Sequence, residues 1–224
     1  MAFPRYESYK DSGVEWLGEI PSHWNFRRLK HIAKVRLSNV DKHSRVNELP
    51  VKLCNYTDVY YKSFITNEIN FMEATATEEQ IHNFSLETDD VLITKDSESF
   101  DDIAVPAYVP QTLQNVICGY HLAHIKPIHI EGSYLFRSFQ AEDISSQFRI
   151  AANGITRFGI SKSAINDAIF LIPPIAEQRR IVEFLDRYTD EIDRVIAQKQ
   201  RLIELLKEQK AILISEAVTG KIKV

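Results

Sequence analysis

Cysteine and glycine are scarce in this 224-residue chain, with two of the first and seven of the second, and no long apolar run interrupts it. Cys54 and Cys118 stand far apart without metal-ligand spacing around them. A disulfide framework is therefore excluded, and both are expected to be buried or incidental thiols in a reducing cytoplasm. No stretch approaches the ~20 apolar residues of a membrane span, and the start, Met1-Ala2-Phe3-Pro4-Arg5-Tyr6, lacks the layout of a secretory signal. The expected location is the cytoplasm, with no membrane partner. Motifs for chemistry are missing too. No Gly-x-x-x-x-Gly-Lys phosphate loop, glycine-rich S-adenosylmethionine loop, Asn-Pro-Pro-Tyr-like motif or nucleophile turn occurs. His121 and His124 lie close together but belong to no convincing metal-ligand set.

What is present is an ordinary globular composition, 44% hydrophobic and 26% charged. The net charge of −4 argues against a general nucleic-acid binder, which needs a basic excess. Its distribution is uneven. Residues 25–40 contain no acid but carry Arg27, Arg28, Lys30, Lys34 and Arg36. Residues 144–166 are again acid-free, with Arg149, Arg157 and Lys162, and residues 103–130 hold Lys126 with His121, His124 and His129. Acids collect in residues 87–102 and in the C-terminal segment. One basic face is compatible with an acidic sum, and so is an evenly mixed surface.

The hydrophobic period changes near Pro173-Pro174. Before it, short β-branched and aromatic runs read as strands: Asp58–Tyr61, Asp90–Thr94, Ile103–Val105 and Asn115–Cys118. Helices are expected over Thr77–Asn83, from Tyr134 to Ser138 and onward, and over Lys162–Ala168. After it, residues 175–218 contain neither proline nor glycine, Pro174 suits a first helical turn, and Gly220 suits a stop. Ile181, Leu185, Tyr188, Ile192, Val195, Leu202, Leu206 and Leu213 follow a four-three spacing, broken by Lys199 and Gln209. That is a coiled-coil seam. The apolar residues Val182, Ile196, Ile203, Leu205 and Ile212 widen it. The fold class is therefore α+β: a mixed α/β domain over residues 1–173, then a long coiled-coil helix over 174–224 that needs a partner helix.

Three segments carry a family resemblance. They are Tyr9-Lys10-Asp11-Ser12-Gly13-Val14-Glu15-Trp16-Leu17-Gly18-Glu19-Ile20-Pro21 with His23-Trp24, then Ile172-Pro173-Pro174-Ile175-Ala176-Glu177-Gln178, and Leu213-Ile214-Ser215-Glu216-Ala217-Val218-Thr219-Gly220-Lys221-Ile222. In this order, around a variable middle, they resemble the specificity (S) subunits of type I restriction-modification enzymes, over the whole chain. The resemblance implies a non-catalytic, sequence-specific DNA-recognition subunit. Such subunits usually carry two target-recognition domains and two antiparallel helices, each domain reading half of an interrupted target. This chain has one of each and looks like a half-subunit that pairs with itself as a homodimer. The resemblance also implies methyltransferase (M) and motor-restriction (R) subunits as partners. S-adenosylmethionine, ATP and Mg are expected on those partners and no cofactor on this chain.

Contact residues are read from chemistry and position. The loop Asn153–Lys162 has two glycines in an acid-free window. Arg157 suits a guanine edge or a phosphate; Thr156, Ser161 and Lys162 suit phosphates. The bland alternative is a solvated turn in which Ser161 caps a helix. Lys95 lies in an acidic loop, Thr94–Asp102, which puts phosphate binding there in doubt while leaving a carboxylate able to accept from cytosine N4. Tyr120, Asn55, Arg28 and Lys30 complete the candidate DNA-binding set; Leu185, Tyr188, Ile192, Val195, Leu202, Leu206 and Leu213 form the candidate dimerisation seam. Two rivals remain. A coiled-coil adaptor without DNA contact expects no effect from changing Arg157 or Lys162. A Mg-dependent nuclease would use Asp89, Asp90, Asp96, Glu98, Asp101 and Asp102, since such sites need clustered carboxylates.

Overall fold

The computed structural model describes residues 3–224. In chain order the strands and helices are β1 (Tyr9–Asp11), β2 (Glu19–Pro21), β3 (Asn25–Arg28), β4 (Ala33–Leu37), β5 (Leu49–Cys54), α1 (Tyr56–Tyr61), β6 (Met72–Ala76), α2 (Glu78–Phe84), β7 (Val91–Thr94) and β8 (Asp96–Ser97). There follow β9 (Pro106–Tyr108), β10 (Val116–Cys118), β11 (Leu122–Pro127), α3 (Gly132–Phe139), α4 (Glu142–Ala151), β12 (Phe158–Gly159), α5 (Lys162–Asp167), β13 (Ile169–Ile172) and α6 (Ile175–Val218). The chain divides into two compact units, one ending at Arg179 and the other running Arg180–Val224. The fold is mixed α/β with a long C-terminal helix. Met1 and Ala2, at the head of the segment read against a secretory signal, lie outside the described residues.

Two larger sheets and three two-stranded pairs, β1-β2, β3-β13 and β8-β12, build the first unit. Of the larger sheets, one has the order β10-β5-β6, the other β4-β11-β7-β9. Leu53, Ile65, Leu86, Leu92, Ile117 and Leu122 form the centre of the shared core, each almost fully buried. All four residues of β7 are buried, as a strand with neighbours on both edges and cover on both faces requires. A second packing centre is aromatic: Phe139 lies 5.3 Å from Phe148 and 5.0 Å from Phe170, ring centre to ring centre. Cys54 and Cys118 are both buried and stand opposite one another in the parallel β5–β10 pair. Burial pushes both thiols well above the ordinary range, so they behave as small apolar residues. His124 is also a core residue, its Nε2 2.7 Å from Asp90 Oδ2.

Two of the expected strands are something else. Asp58–Tyr61 belongs to α1, because the Asn55 N–H donates to Asp58 Oδ2 at 2.8 Å and so closes the first turn as a capping box does. Local capping outweighs the β preference of Val59, Tyr60 and Tyr61. Ile103–Val105 is a turn, with Ala104 at φ 61°. Thr94 Oγ1 donates to the Asp102 carbonyl and accepts from Val105 N–H, so regular pairing starts only at Pro106. The other expectations match: β7 and β10 lie within the strands read, α2 starts behind its Thr77 cap, and α5 starts behind Ser161.

Glu177 and Gln178, the polar pair of the Pro-Pro-x-x-Glu-Gln segment, are buried. Glu177 receives the Tyr6 hydroxyl at 2.7 Å and sits 2.9 Å from His23 Nε2. Gln178 donates to the Pro173 carbonyl at 2.9 Å and accepts from Glu131 N–H at 3.0 Å. The motif is thus an anchor that fastens the first turn of α6 to the N-terminal segment and the start of α3. The 44-residue α6 is about 66 Å long at ~1.5 Å per residue. Gly220, at φ 72°, lies just beyond its end. Among the described residues no helix is long and apolar enough to cross a membrane.

Candidate nucleic-acid interface

Three segments distant in sequence meet beyond the end of β7. Lys95 N–H donates to the His121 carbonyl at 3.0 Å, and Ile160 N–H donates to the Lys95 carbonyl at 2.9 Å. β8 pairs antiparallel with β12, placing Asp96 opposite Gly159 and Ser97 opposite Phe158. The turn between β10 and β11, the chain leaving β7 and the glycine-containing loop are therefore laced together through their backbones.

That loop is a short hairpin. Asn153 and Gly159 exchange two backbone hydrogen bonds, at 3.0 and 2.9 Å. Gly154 has φ 147°, and a Cβ there would lie 1.9 Å from the Arg157 carbonyl oxygen, so only glycine fits the turn. Ile155 at the tip is 95% exposed, and Thr156 and Arg157 beside it are exposed. Phe158 returns toward the body and packs edge-on to Phe100, 6.0 Å away.

The side chains converge on Asp96. Its Oδ1 lies 2.8 Å from Arg157 Nη2, 3.1 Å from Arg157 Nε and 2.7 Å from His121 Nδ1. Its Oδ2 lies 3.6 Å from Lys95 Nζ, which sits 4.2 Å from the centre of the Tyr120 ring. His121 Nδ1 is also 3.1 Å from Arg157 Nη2. Arg157 can only donate and Asp96 only accept, so Nδ1 serves one of the two at a time, and the contact to the carboxylate is the shorter. Tyr56 joins through its hydroxyl, 3.1 Å from Ser97 Oγ, and stacks on Tyr60. A cleft of about 360 Å³ beside Arg157 is lined by Tyr56, Tyr60, Asp96, Glu98 and Asp102. A second, of about 240 Å³, is lined by Asp41, His43, Asn55, Tyr56, Tyr120 and His121.

Of the candidates read from sequence, Arg157, Lys95 and Tyr120 come together at this cluster, with Asn55 at its edge and Thr156 on the hairpin. Asn55 also has a local role as the cap residue of α1. Ser161 caps α5, its Oγ accepting from Ala164 N–H at 3.1 Å, and Lys162 is the exposed first residue of that helix. Arg28 and Lys30 are not part of the cluster. They pair with Asp167 Oδ1 at 3.2 and 2.7 Å, at the opposite end of α5. Lys30, with Arg28 behind it, holds the Asp167 carboxyl below the usual range. On α6, Leu185 and Tyr188 are half-buried, and Ile192, Val195, Leu202, Leu206 and Leu213 are exposed.

Asp96 and His121 lie in segments read as candidates, Thr94–Asp102 and Gly119–His121, but Lys95 and Tyr120 alone are read from them as contacts. The acidity of the loop weighs against Asp96 in sequence, but besides the neighbouring Lys95 its partners lie 25 and 61 residues away, and only the fold brings those two close. Of the other acids of the Asp89–Asp102 run, Glu98 and Asp102 share the Arg157 cleft with Asp96, and Asp89, Asp90 and Asp102 each have a partner of their own. Asp89 accepts from Gly132 N–H, Asp90 faces His124, and Asp102 accepts from the Tyr60 hydroxyl. Among the described residues no three His, Cys, Asp or Glu side chains group closely enough to hold a metal ion.

Comparison with known proteins gives a consistent picture. Residues 21–205 match the family described as Type I restriction modification DNA specificity domain. A Methanocaldococcus jannaschii protein described as a type I restriction enzyme MjaX specificity subunit is 20% identical over 225 residues, which cover 98% of this chain and 50% of that protein. Among solved structures, one from work on complex assembly and conformational transition of the type I R-M system superposes with a TM-score of 0.64 at 17% identity. It covers 92% of this chain and 47% of that one. The HsdS subunit from Thermoanaerobacter tengcongensis superposes with a TM-score of 0.55 at 15% identity, over 83% of this chain and 41% of that one. The chain therefore spans about half the length of the relatives it matches.

Proposed function

Because the chain belongs to the type I restriction-modification DNA specificity family, we propose that its first unit reads one half-site of an interrupted double-stranded DNA target. The observation that carries this reading is the convergence of Lys95, Tyr120 and Arg157 from three loops. Arg157 supplies a planar fork of donors suited to a guanine edge, and Lys95 a compact charge suited to phosphate. Thr156, Ser161 and Lys162 extend the surface as phosphate contacts. The chain performs no chemistry in this reading: methylation and cleavage, with S-adenosylmethionine, ATP and Mg, belong to M and R subunits that dock on it.

The exposed apolar row of α6 supports a further part of the proposal, that two copies pair through antiparallel helices. An apolar row from Ile192 to Leu213 is costly to leave in water. A two-fold pair would read an interrupted palindrome, because target symmetry follows protein symmetry.

The test of DNA reading is a binding titration of wild type and Arg157→Ala on duplexes enriched from a randomised pool, repeated over a salt series. If Arg157 grips a base, its removal weakens binding by about 1–3 kcal/mol and relaxes one position of the site. If Lys162 grips a phosphate, Lys162→Ala weakens all sequences alike and lowers the salt slope by about one. Unchanged affinity and slope in both variants would sink the assignment and favour an adaptor.

A further inference from the structure

We propose that Asp96 is a positioning residue: it aims the Arg157 guanidinium, with His121 locked beside it, at a guanine in the major groove. The inference rests on the DNA-reading function proposed above and names the base and the device that presents it.

The geometry has four parts. Asp96 Oδ1 accepts from Arg157 Nε at 3.1 Å and pairs with Nη2 at 2.8 Å, while one Nη2 hydrogen lies toward His121 Nδ1 at 3.1 Å. The guanidinium is thus held side-on, and when Nδ1 serves Asp96 its end, Nη1 with the second hydrogen of Nη2, is left as a fork. That fork matches the O6 and N7 acceptors of guanine. Second, the Asp96 side chain is 17% exposed and that of Arg157 is 55% exposed, so the carboxylate is the sheltered partner and the arginine the presented one. Third, Asp96 and Arg157 are held by paired backbone, since Asp96 stands opposite Gly159, two residues beyond Arg157. Fourth, the same oxygen fixes His121 Nδ1 at 2.7 Å, so Asp96 cannot turn away without releasing both side chains. His121 Nε2 has no partner among the described residues and is the ring nitrogen left to face a neighbouring base edge.

An arginine left loose on a hairpin gives up its rotamer freedom when it binds, and settles as readily on a phosphate as on a base. One clamped side-on has already given up that freedom, and only a planar pair of acceptors suits the edge that remains. Lys95 cannot substitute, because a point charge has no edge to aim.

The experiment uses the full chain and duplexes enriched on the wild-type protein from a randomised pool, prepared once with guanine and once with 7-deazaguanine, which lacks N7. Wild type should bind the second set about tenfold more weakly. Arg157→Ala should bind both sets alike. Asp96→Asn keeps the charge of Arg157 but loosens the clamp, so it should lose most of the discrimination while its salt slope stays that of wild type. Thermal melting of each variant separates aim from folding, and Asp96→Ala is the second variant where Asn retains a partial clamp. Full discrimination by both Asp96 variants overturns the proposal. So does tighter binding of both variants to all duplexes, which would make the carboxylate a restraint on Arg157. A wild type that binds DNA in a salt-dependent way yet ignores 7-deazaguanine overturns the guanine assignment and leaves the DNA-reading function standing. A pool that never enriches removes that function itself.

Discussion

Glu177 sits almost out of water at the first turn of α6, and its environment ties part of the first unit's stability to pH. Burial by itself raises its carboxyl, but hydrogen bonds from Tyr6 and His23 outweigh that and hold it below the ordinary value of 4.5. A carboxyl depressed in the folded state contributes stability that is fully present above its unfolded value and is lost as pH falls through the lowered folded one. Glu177→Gln should therefore be less stable than wild type by about 1–3 kcal/mol at neutral pH. The gap should close as pH drops below 4.5. Urea unfolding followed by tryptophan fluorescence measures it, since Trp16 and Trp24 both lie in the first unit; a gap independent of pH would refute the linkage. At this scale the sequence is unevenly legible. Arg157 stands out by its glycine-flanked, acid-free setting, whereas Asp96 looks like one acid among several, because a charge declares its role only through partners the chain brings from elsewhere.

Elements are legible where a local signal decides them. Residues 175–218 announce a helix through uninterrupted helix formers, and the bounds of α6 follow from Pro174 before it and Gly220 after it. α5 follows from Ser161. α1 reads as a strand in sequence because four residues of mixed aromatic and β-branched character fit a strand as well as a short helix, and Asn55 with Asp58 casts the deciding vote three residues apart. The two-residue β8–β12 pair has no local signature at all. Its partners are 61 residues apart at Ser97 and Phe158, and pairing of that kind is set by the whole fold. The hairpin that it joins to the body gives an element-scale prediction. Gly154→Ala forces a Cβ against the Arg157 carbonyl, so the turn must open or distort. DNA affinity should fall as far as in Arg157→Ala, while hydrogen exchange at Gly159 and Ile160 accelerates and the melting temperature moves by only a few degrees. Protected amides together with full affinity would show that the turn tolerates a side chain.

For the whole molecule, the governing fact is an apolar row on α6 in a chain about half as long as its relatives. Light scattering across a concentration series should give a mass near twice 25.9 kDa. Leu202→Glu with Leu206→Glu should reduce it to one copy and leave the first unit folded by tryptophan fluorescence. A wild type that stays at one copy at every concentration would refute self-pairing. The hairpin that carries Arg157 has a different importance at this scale. It is closed by the Asn153–Gly159 exchange and fastened to the body by β8–β12 pairing and by Ile160 to Lys95, all of them backbone bonds. Such bonds are blind to side-chain identity. If the hairpin reads DNA as proposed, residues 155–157 can be rewritten while the fastening holds, which would make it an exchangeable cassette: new targets could be tried in a lineage without renegotiating the core beneath them.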